Sequence, residues 1–163
     1  MRIIDFTGQE NIRSEGHTSK GDQPKWKQAG NWYKADHMGY EALSEIIVSR
    51  LLAWSDADDF VSYQPVRIHY NGKVVSGCSS RDFMRKGEML IPFERLHRAY
   101  EGRGLAQTLT RFDSPTARIA YTVDFVERVT NLTGVGAYLT AILELDCLTL
   151  NEDRHKNNLA GLR

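Results

Sequence analysis

Cysteine, net charge and long apolar runs are all scarce in this chain, and each scarcity excludes a class of protein. The two cysteines, Cys78 and Cys147, are too few for a disulfide scaffold and lack metal-ligand spacing. Lys and Arg number 21 against 21 Asp and Glu, so the basic excess of a general nucleic-acid binder is missing. The most apolar stretch, 135–150, is interrupted by Glu144 and Asp146, whereas a membrane span needs roughly 20 apolar residues. We therefore expect a reduced, cytoplasmic protein with no membrane partner.

The material that is present suffices for a folded core, because 41% of the 163 residues are hydrophobic. Two β-hairpins are predicted in the first half of the chain, one pairing 25–28 with 31–35 and the other pairing 60–70 with 73–77. Their turns are Ala29-Gly30 and Asn71-Gly72, and the residues of the second turn both tolerate positive φ.

A helix is predicted between these hairpins, over 39–54. Its apolar positions recur at helical spacing and predict a buried stripe formed by Leu43, Ile46, Ile47, Arg50, Leu51 and Trp54. Glu41, Glu45 and Ser49 form a second stripe at i+4 spacing, which places Glu45 off the main apolar face.

The second half of the chain is predicted to be helical. A short helix is expected near 93–101, and Ser114-Pro115 is a helix start, with a cap followed by a first-turn proline. That helix should end at Thr133-Gly134. A last helix over 135–150 is apolar nearly all round, which predicts a central position in its part of the fold. The fold class is therefore α+β, with a β-rich first half containing one inserted helix, then a helical second half.

Lys34 and Glu45 are the first candidate site residues. A lysine on a strand paired to a glutamate on the next helix is how protein kinases hold the α/β-phosphates of ATP. A lysine beside aromatic residues also commonly extends to solvent, so the pair alone is a weak signal. The loop 16–25 before it carries glycines whose backbone N–H groups could surround phosphates, although most such loops are only turns.

Asp153 and Asn158 form a second candidate pair, in the polar segment that follows the last helix. Kinase catalytic loops carry an aspartate that receives the substrate hydroxyl proton and, five positions later, an asparagine that holds Mg²⁺. Asp146 and Asn151 show the same spacing, but Asp146 lies within the helical run. The alternative for 151–158 is a solvated loop at a helix end, with its basic residues facing the helix dipole.

Ser79 and Ser80 follow the strand predicted over 73–77, in a run of small residues. In a two-lobed nucleotide enzyme such a connector supplies backbone groups to adenine. An ordinary strand end explains the same residues equally well.

Three motifs together resemble the HipA-like serine/threonine kinases. The segment 21–25, Gly-Asp-Gln-Pro-Lys, resembles their Gly-x-Gln-x-Lys phosphate loop. The segments 32–36 and 39–45 are similar to their lysine strand and the helix after it. The segment 151–158 resembles their catalytic loop, in which Asp-x-His-x-x-Asn recurs.

The resemblance implies a kinase-like fold, with a nucleotide-binding N-lobe over 1–80, a connector over 81–113 and the start of a helical C-lobe over 114–163. It implies ATP and Mg²⁺ as cofactors and phosphoryl transfer to Ser or Thr of a protein substrate. The implied roles are these: Gly21 and Gln23 face the phosphates, Lys34 contacts them and is oriented by Glu45, Ser79 and Ser80 lie near adenine, Asp153 is catalytic and Asn158 holds the metal.

The chain departs from the family pattern at its end, because no aspartate follows Asn158 to serve as the second metal ligand. The sequence therefore predicts a fragment of a longer kinase that lacks this ligand. The alternatives are a short chain that a further polypeptide completes and a catalytically inactive, kinase-like interaction module. An antitoxin is another expected partner. Exposed apolar surface on the 135–150 helix is expected to favour association.

Overall fold

The computed structural model describes residues 2–12, 23–37, 39–149 and 159–162. The chain divides into two compact units, Met1–Phe83 and Met84–Arg163. In the described residues, the first unit contains a five-stranded sheet and a helix, and the second contains several helices and a two-stranded sheet. The architecture is mixed α+β, as the sequence predicts.

The sheet of the first unit contains both predicted hairpins. Its strands are β1 (Ile3–Asp5), β2 (Lys25–Gln28), β3 (Asn31–Ala35), β4 (Gln64–Tyr70) and β5 (Lys73–Arg81), in the spatial order β1-β4-β5-β3-β2. Strands β2 and β3 pair antiparallel, as do β4 and β5. Both turns have positive φ at their two central residues, which matches the right-handed twist of the strands they join. Strand β1 runs parallel to β4 and was not predicted.

The sheet is curled. The segment that follows β1 contacts β4, near one edge of the sheet, and also contacts β2, the strand at the opposite edge. The N–H of Phe6 donates to the carbonyl of His69 at 2.8 Å, and that of Ile12 donates to Lys25 at 2.7 Å. The rings of Phe6 and Trp26 stack with their centroids 4.7 Å apart. The core of the unit consists of Ile4, Phe6, Trp26, Ala35, Val66 and Ile68.

Helix α1 (Glu41–Leu52) packs against β4 and β5 with the opposite face from the one predicted. Its buried residues are Ala42 and Ser49, whereas four residues of the predicted stripe, Leu43, Ile47, Leu51 and Trp54, are exposed. The prediction of the buried face is wrong. The small residues allow a close approach to the sheet, and the stripe containing Glu45 and Ser49 is the one that faces it.

The second unit consists of β6 (Leu90–Pro92), α2 (Phe93–Glu101), α3 (Leu105–Leu109), α4 (Pro115–Thr130), α5 (Val135–Thr149) and β7 (Ala160–Leu162). Strands β6 and β7 pair antiparallel. Helix α4 begins as predicted, because the Ser114 hydroxyl accepts from the N–H of Ala117 at 3.1 Å ahead of the first-turn proline. It ends earlier than predicted, at Asn131 in the left-handed conformation. The core residues are Phe93, Leu105, Phe125, Val126, Val135 and Leu139.

Helix α5 is not central to its unit, contrary to the prediction. It packs on α4 along a narrow stripe and buries Val135, Leu139 and Asp146. Further apolar residues of the helix, among them Leu143 and Leu148, are exposed. In the part of the chain that the structure describes, no helix combines the length and the apolar character needed to cross a bilayer.

Candidate functional site

An ion pair between β3 and α1 forms the centre of the candidate site. The Lys34 ammonium donates to Oε1 of Glu45, so the structure brings together the two residues selected from the sequence. Lys34 lies opposite Cys78 in the β3–β5 register, on the face of the sheet that α1 covers. Glu45 lies on the inward stripe of α1, and its position therefore depends on how the helix packs.

Tyr63 is a third member of this cluster, and it was not selected from the sequence. Its hydroxyl accepts a hydrogen bond from the Lys34 ammonium at 2.9 Å, and the ammonium lies 4.7 Å from the centre of its ring. The N–H of Tyr63 donates to the hydroxyl of Ser49 at 3.2 Å, which fixes the residue against α1. No local pattern could have indicated Tyr63, because the residue precedes β4 and meets Lys34 only in the folded chain.

The electrostatics of the cluster favour one positive charge held by one carboxylate. Burial alone would lower the pKa of Lys34, but the attraction of Glu45 and Tyr63 outweighs it, and the pKa is raised above its ordinary value. Burial raises the pKa of Tyr63 and raises that of Cys78 to about 12. At pH 7 the lysine is therefore charged, while the phenol and the thiol are neutral.

Gly77 allows β5 to approach β3 at the lysine. A Cβ at this position would lie 2.6 Å from the Lys34 carbonyl oxygen and 2.7 Å from Cδ1 of Ile68, closer than real Cβ atoms approach. Glycine is therefore required for the close spacing of β5 and β3 beside Lys34.

Asp36 positions the start of α1. Its Oδ1 accepts a hydrogen bond from the N–H of Ala42 at 2.7 Å, which satisfies one of the unpaired donors of the first helical turn. Burial raises the pKa of this carboxyl, and the bond from Ala42 opposes that rise. The acid that follows β3 thereby connects the lysine strand to the glutamate helix.

Ser79 and Ser80 belong to β5 and not to a connector, which corrects the predicted strand end at Gly77. The strand continues to Arg81 because β3 pairs with it over that length. Both serines line an open cleft of about 430 Å³, together with Asn31, Phe60, Val61, Ser62, Gln64, Arg81 and Phe83. Ser62 and Gln64 flank Tyr63, so one segment, 60–64, contributes both to the cleft and to the Lys34 cluster.

The remaining predicted site residues are only partly described. Gly21, Asp153 and Asn158 lie outside the described residues. Gln23 is described, and its side-chain Nε2 is buried without a hydrogen-bond partner among those residues. In the same part of the chain, no group of three or more His, Cys, Asp or Glu side chains is arranged to hold a metal ion.

No protein-family model, no curated protein and no solved structure matches this chain. The candidate site is therefore interpreted from its own geometry.

Proposed function

We propose that this protein binds Mg²⁺-ATP through Lys34 and transfers the γ-phosphoryl group to a serine or threonine of a protein substrate, as a kinase-like fold of the HipA type. The observation that carries the proposal is the ion pair between a lysine on an interior strand of the sheet, β3, and a glutamate on the helix packed against that sheet. Phosphoryl transfer depends on positioning and charge neutralisation, and a fixed ammonium is one of its recurring components.

The cluster is suited to present Lys34 to an anion. An ammonium has three N–H donors, of which Glu45 and Tyr63 engage two, and we assign the third to the α/β-phosphates. The contacts of Glu45 and Tyr63 hold the lysine in one conformation. The conformational entropy of the Lys34 side chain is therefore lost during folding and not during nucleotide binding.

The cleft beside the cluster is the proposed place for the purine base. It combines two phenylalanine rings, Phe60 and Phe83, with the hydroxyls of Ser79 and Ser80, and so offers both apolar and hydrogen-bonding surface. The segment 60–64 lines this cleft and also contributes Tyr63 to the lysine cluster, so the proposed base and phosphate subsites would share one stretch of chain.

The resemblance supplies the remaining roles of the proposal. Gly21 and Gln23 would contribute phosphate contacts, Asn158 would be a Mg²⁺ ligand, and Asp153 would accept the proton of the substrate hydroxyl. The substrate oxygen bonds to the γ-phosphorus while the bond from that phosphorus to the β,γ-bridging oxygen breaks, which releases ADP.

The test is phosphoryl transfer from [γ-³²P]ATP in the presence of Mg²⁺, with the protein itself and casein as hydroxyl acceptors. We expect alkali-labile phosphate on Ser or Thr. The label should be lost in Lys34→Met and in Asp153→Asn, and retained in Lys27→Met. Lys27 is the matched control because it is another strand lysine with a carboxylate partner, Asp82, at 2.5 Å.

The outcomes separate the proposed enzyme from the inactive module. If the Asp153→Asn variant transferred phosphate at the wild-type rate, Asp153 would not be the proton acceptor. Nucleotide binding without transfer, in the presence of the whole chain and any completing polypeptide, would overturn the proposed activity and leave a binding module.

A further inference from the structure

The outward face of α1 carries a row of exposed apolar side chains. Tyr40 is 74% exposed, Leu43 52%, Ile47 47%, Leu51 40% and Trp54 85%. Tyr40 caps the helix, and the N–H of Trp54 donates to the carbonyl of Leu51 at 3.1 Å, which continues the helical course past the last full turn. We call these five residues the α1 stripe. Their position on one face reflects the helical period.

The spacing of the α1 stripe is symmetric about Ile47. Tyr40 and Trp54 each lie seven residues from Ile47, and Leu43 and Leu51 each lie four residues from it. A second copy of the helix packed antiparallel about a two-fold axis at Ile47 therefore meets it with matching residues. Leu43 faces Leu51 of the other copy, the two Ile47 side chains face each other, and the aromatic ends meet.

Charge on this face is also compatible with a second copy. Arg50 is the charged residue among the exposed positions from 43 to 54, and its guanidinium donates to Gln64 at 3.3 Å. In the antiparallel arrangement Arg50 lies opposite Ser44 of the other copy. The two Arg50 residues are about 9 Å apart along the helix axis, because each lies three residues from the two-fold axis at ~1.5 Å per residue.

The area of the α1 stripe reaches what a specific interface needs. A fully covered aromatic side chain buries roughly 150–250 Å², so the exposed parts of Tyr40 and Trp54 offer about 300 Å² per copy. The three half-exposed aliphatic side chains add to this. Complete coverage of these five side chains would bury about 1,000 Å² over the two copies, which is the lower limit for a specific contact.

We propose that the α1 stripe is the interface of an antiparallel homodimer whose two-fold axis passes between the Ile47 residues of two copies of this chain. Contacts at the lower size limit are typical of weak, transient association, so we expect a dissociation constant on the order of micromolar. None of the five stripe residues belongs to the Lys34 cluster, so the proposal stands independently of the proposed activity.

The first test is sedimentation equilibrium of the whole chain at about 100 µM. We expect the wild type to have the mass of two copies and Ile47→Glu to have the mass of one, because two glutamates would meet at the axis. Ile119→Glu on α4 and Leu148→Glu on α5 are matched controls at exposed apolar helix positions, and both should remain dimeric. Unchanged circular dichroism of each variant establishes that it is folded.

The second test examines the axis itself. Ile47→Lys and Ile47→Glu should each be monomeric alone and should form a mixed dimer when combined, because only an interface with Ile47 against itself pairs these two charges. A monomeric wild type, a dimer that survives Ile47→Glu, a dimer lost in Leu148→Glu, or a mixture that stays monomeric would each overturn the proposal.

Discussion

Replacing Glu45 with glutamine tests how strongly the lysine of the candidate site depends on its carboxylate. The change keeps the shape of the side chain and removes its charge. The side chains of Lys34 and Glu45 are 20% and 33% exposed, so the pair lies between the surface and the buried limit. Exposed pairs contribute ~0.2–1 kcal/mol, and breaking a fully buried pair costs ~3–5 kcal/mol. Because both side chains are partly exposed, the effect should fall between these two ranges. We expect Glu45→Gln to lower the free energy of unfolding by about 1–2 kcal/mol.

Urea denaturation followed by tryptophan fluorescence measures this effect in the unit that contains it. The three tryptophans, Trp26, Trp32 and Trp54, all lie in the first unit, so their signal reports the unfolding of that unit. A double-mutant cycle with Lys34→Met isolates the coupling energy of the pair, which we expect to be about 1 kcal/mol. Lys27→Met, whose lysine is 41% exposed, should cost less than Lys34→Met.

The dependence on pH follows from the raised pKa of Lys34. A lysine whose pKa is higher in the folded state stabilises the fold fully below its unfolded pKa of about 10.4, and this contribution is lost as the pH rises through the folded value. The difference between wild type and Glu45→Gln should therefore be constant near pH 7 and decrease in alkali. A coupling energy below about 0.3 kcal/mol at pH 7 would refute the reasoning.

Further predictions concern the residues that support the cluster. Asp36→Ala should lower the free energy of unfolding in urea by about 1 kcal/mol, because Ala42 loses its acceptor. The raised pKa of Asp36 favours the fold below the unfolded pKa of about 3.9, and this advantage is lost as the pH rises through the folded value. Asp36→Asn should therefore remove the fall in stability that begins above about pH 4. Gly77→Ala should destabilise by about 2 kcal/mol or more in the same assay, since its Cβ would clash with β3, and an unchanged midpoint would contradict this. In native protein, iodoacetamide should modify exposed Cys147 and spare buried Cys78, as peptide mass spectrometry would show.

Local signals predicted the hairpins well because a two-residue turn contains its own conformational information. Ala29-Gly30 and Asn71-Gly72 both adopt positive φ at each position, and the strands on either side pair in the register that those turns set. The cap at Ser114 is local in the same sense. Strand β1 was missed because its three residues carry no period and its partner β4 is distant in the chain.

The faces of the helices could not be read from the sequence, because burial depends on what a helix packs against. The apolar periodicity of α1 predicted that its outward stripe is buried. In the structure the buried residues of the helix are instead Ala42 and Ser49. The pairing of Lys34 with Glu45 could be predicted by analogy with phosphate-binding lysines. The distance between the two side chains could not be predicted, because it depends on how α1 packs against the sheet. Tyr63 depends on packing alone, since it reaches the lysine from a segment between α1 and β4.

Equilibrium binding of Mg²⁺-ATP, measured by isothermal titration calorimetry, tests the central claim most directly. A charge-assisted contact contributes ~1.5–3 kcal/mol, so Lys34→Met should weaken binding by roughly 10–100-fold. Lys27→Met should bind within about twofold of the wild type, because its lysine lies outside the proposed phosphate subsite. If Lys34→Met bound the nucleotide as tightly as the wild type, or if both variants lost affinity equally, the Lys34 cluster would not be a phosphate site.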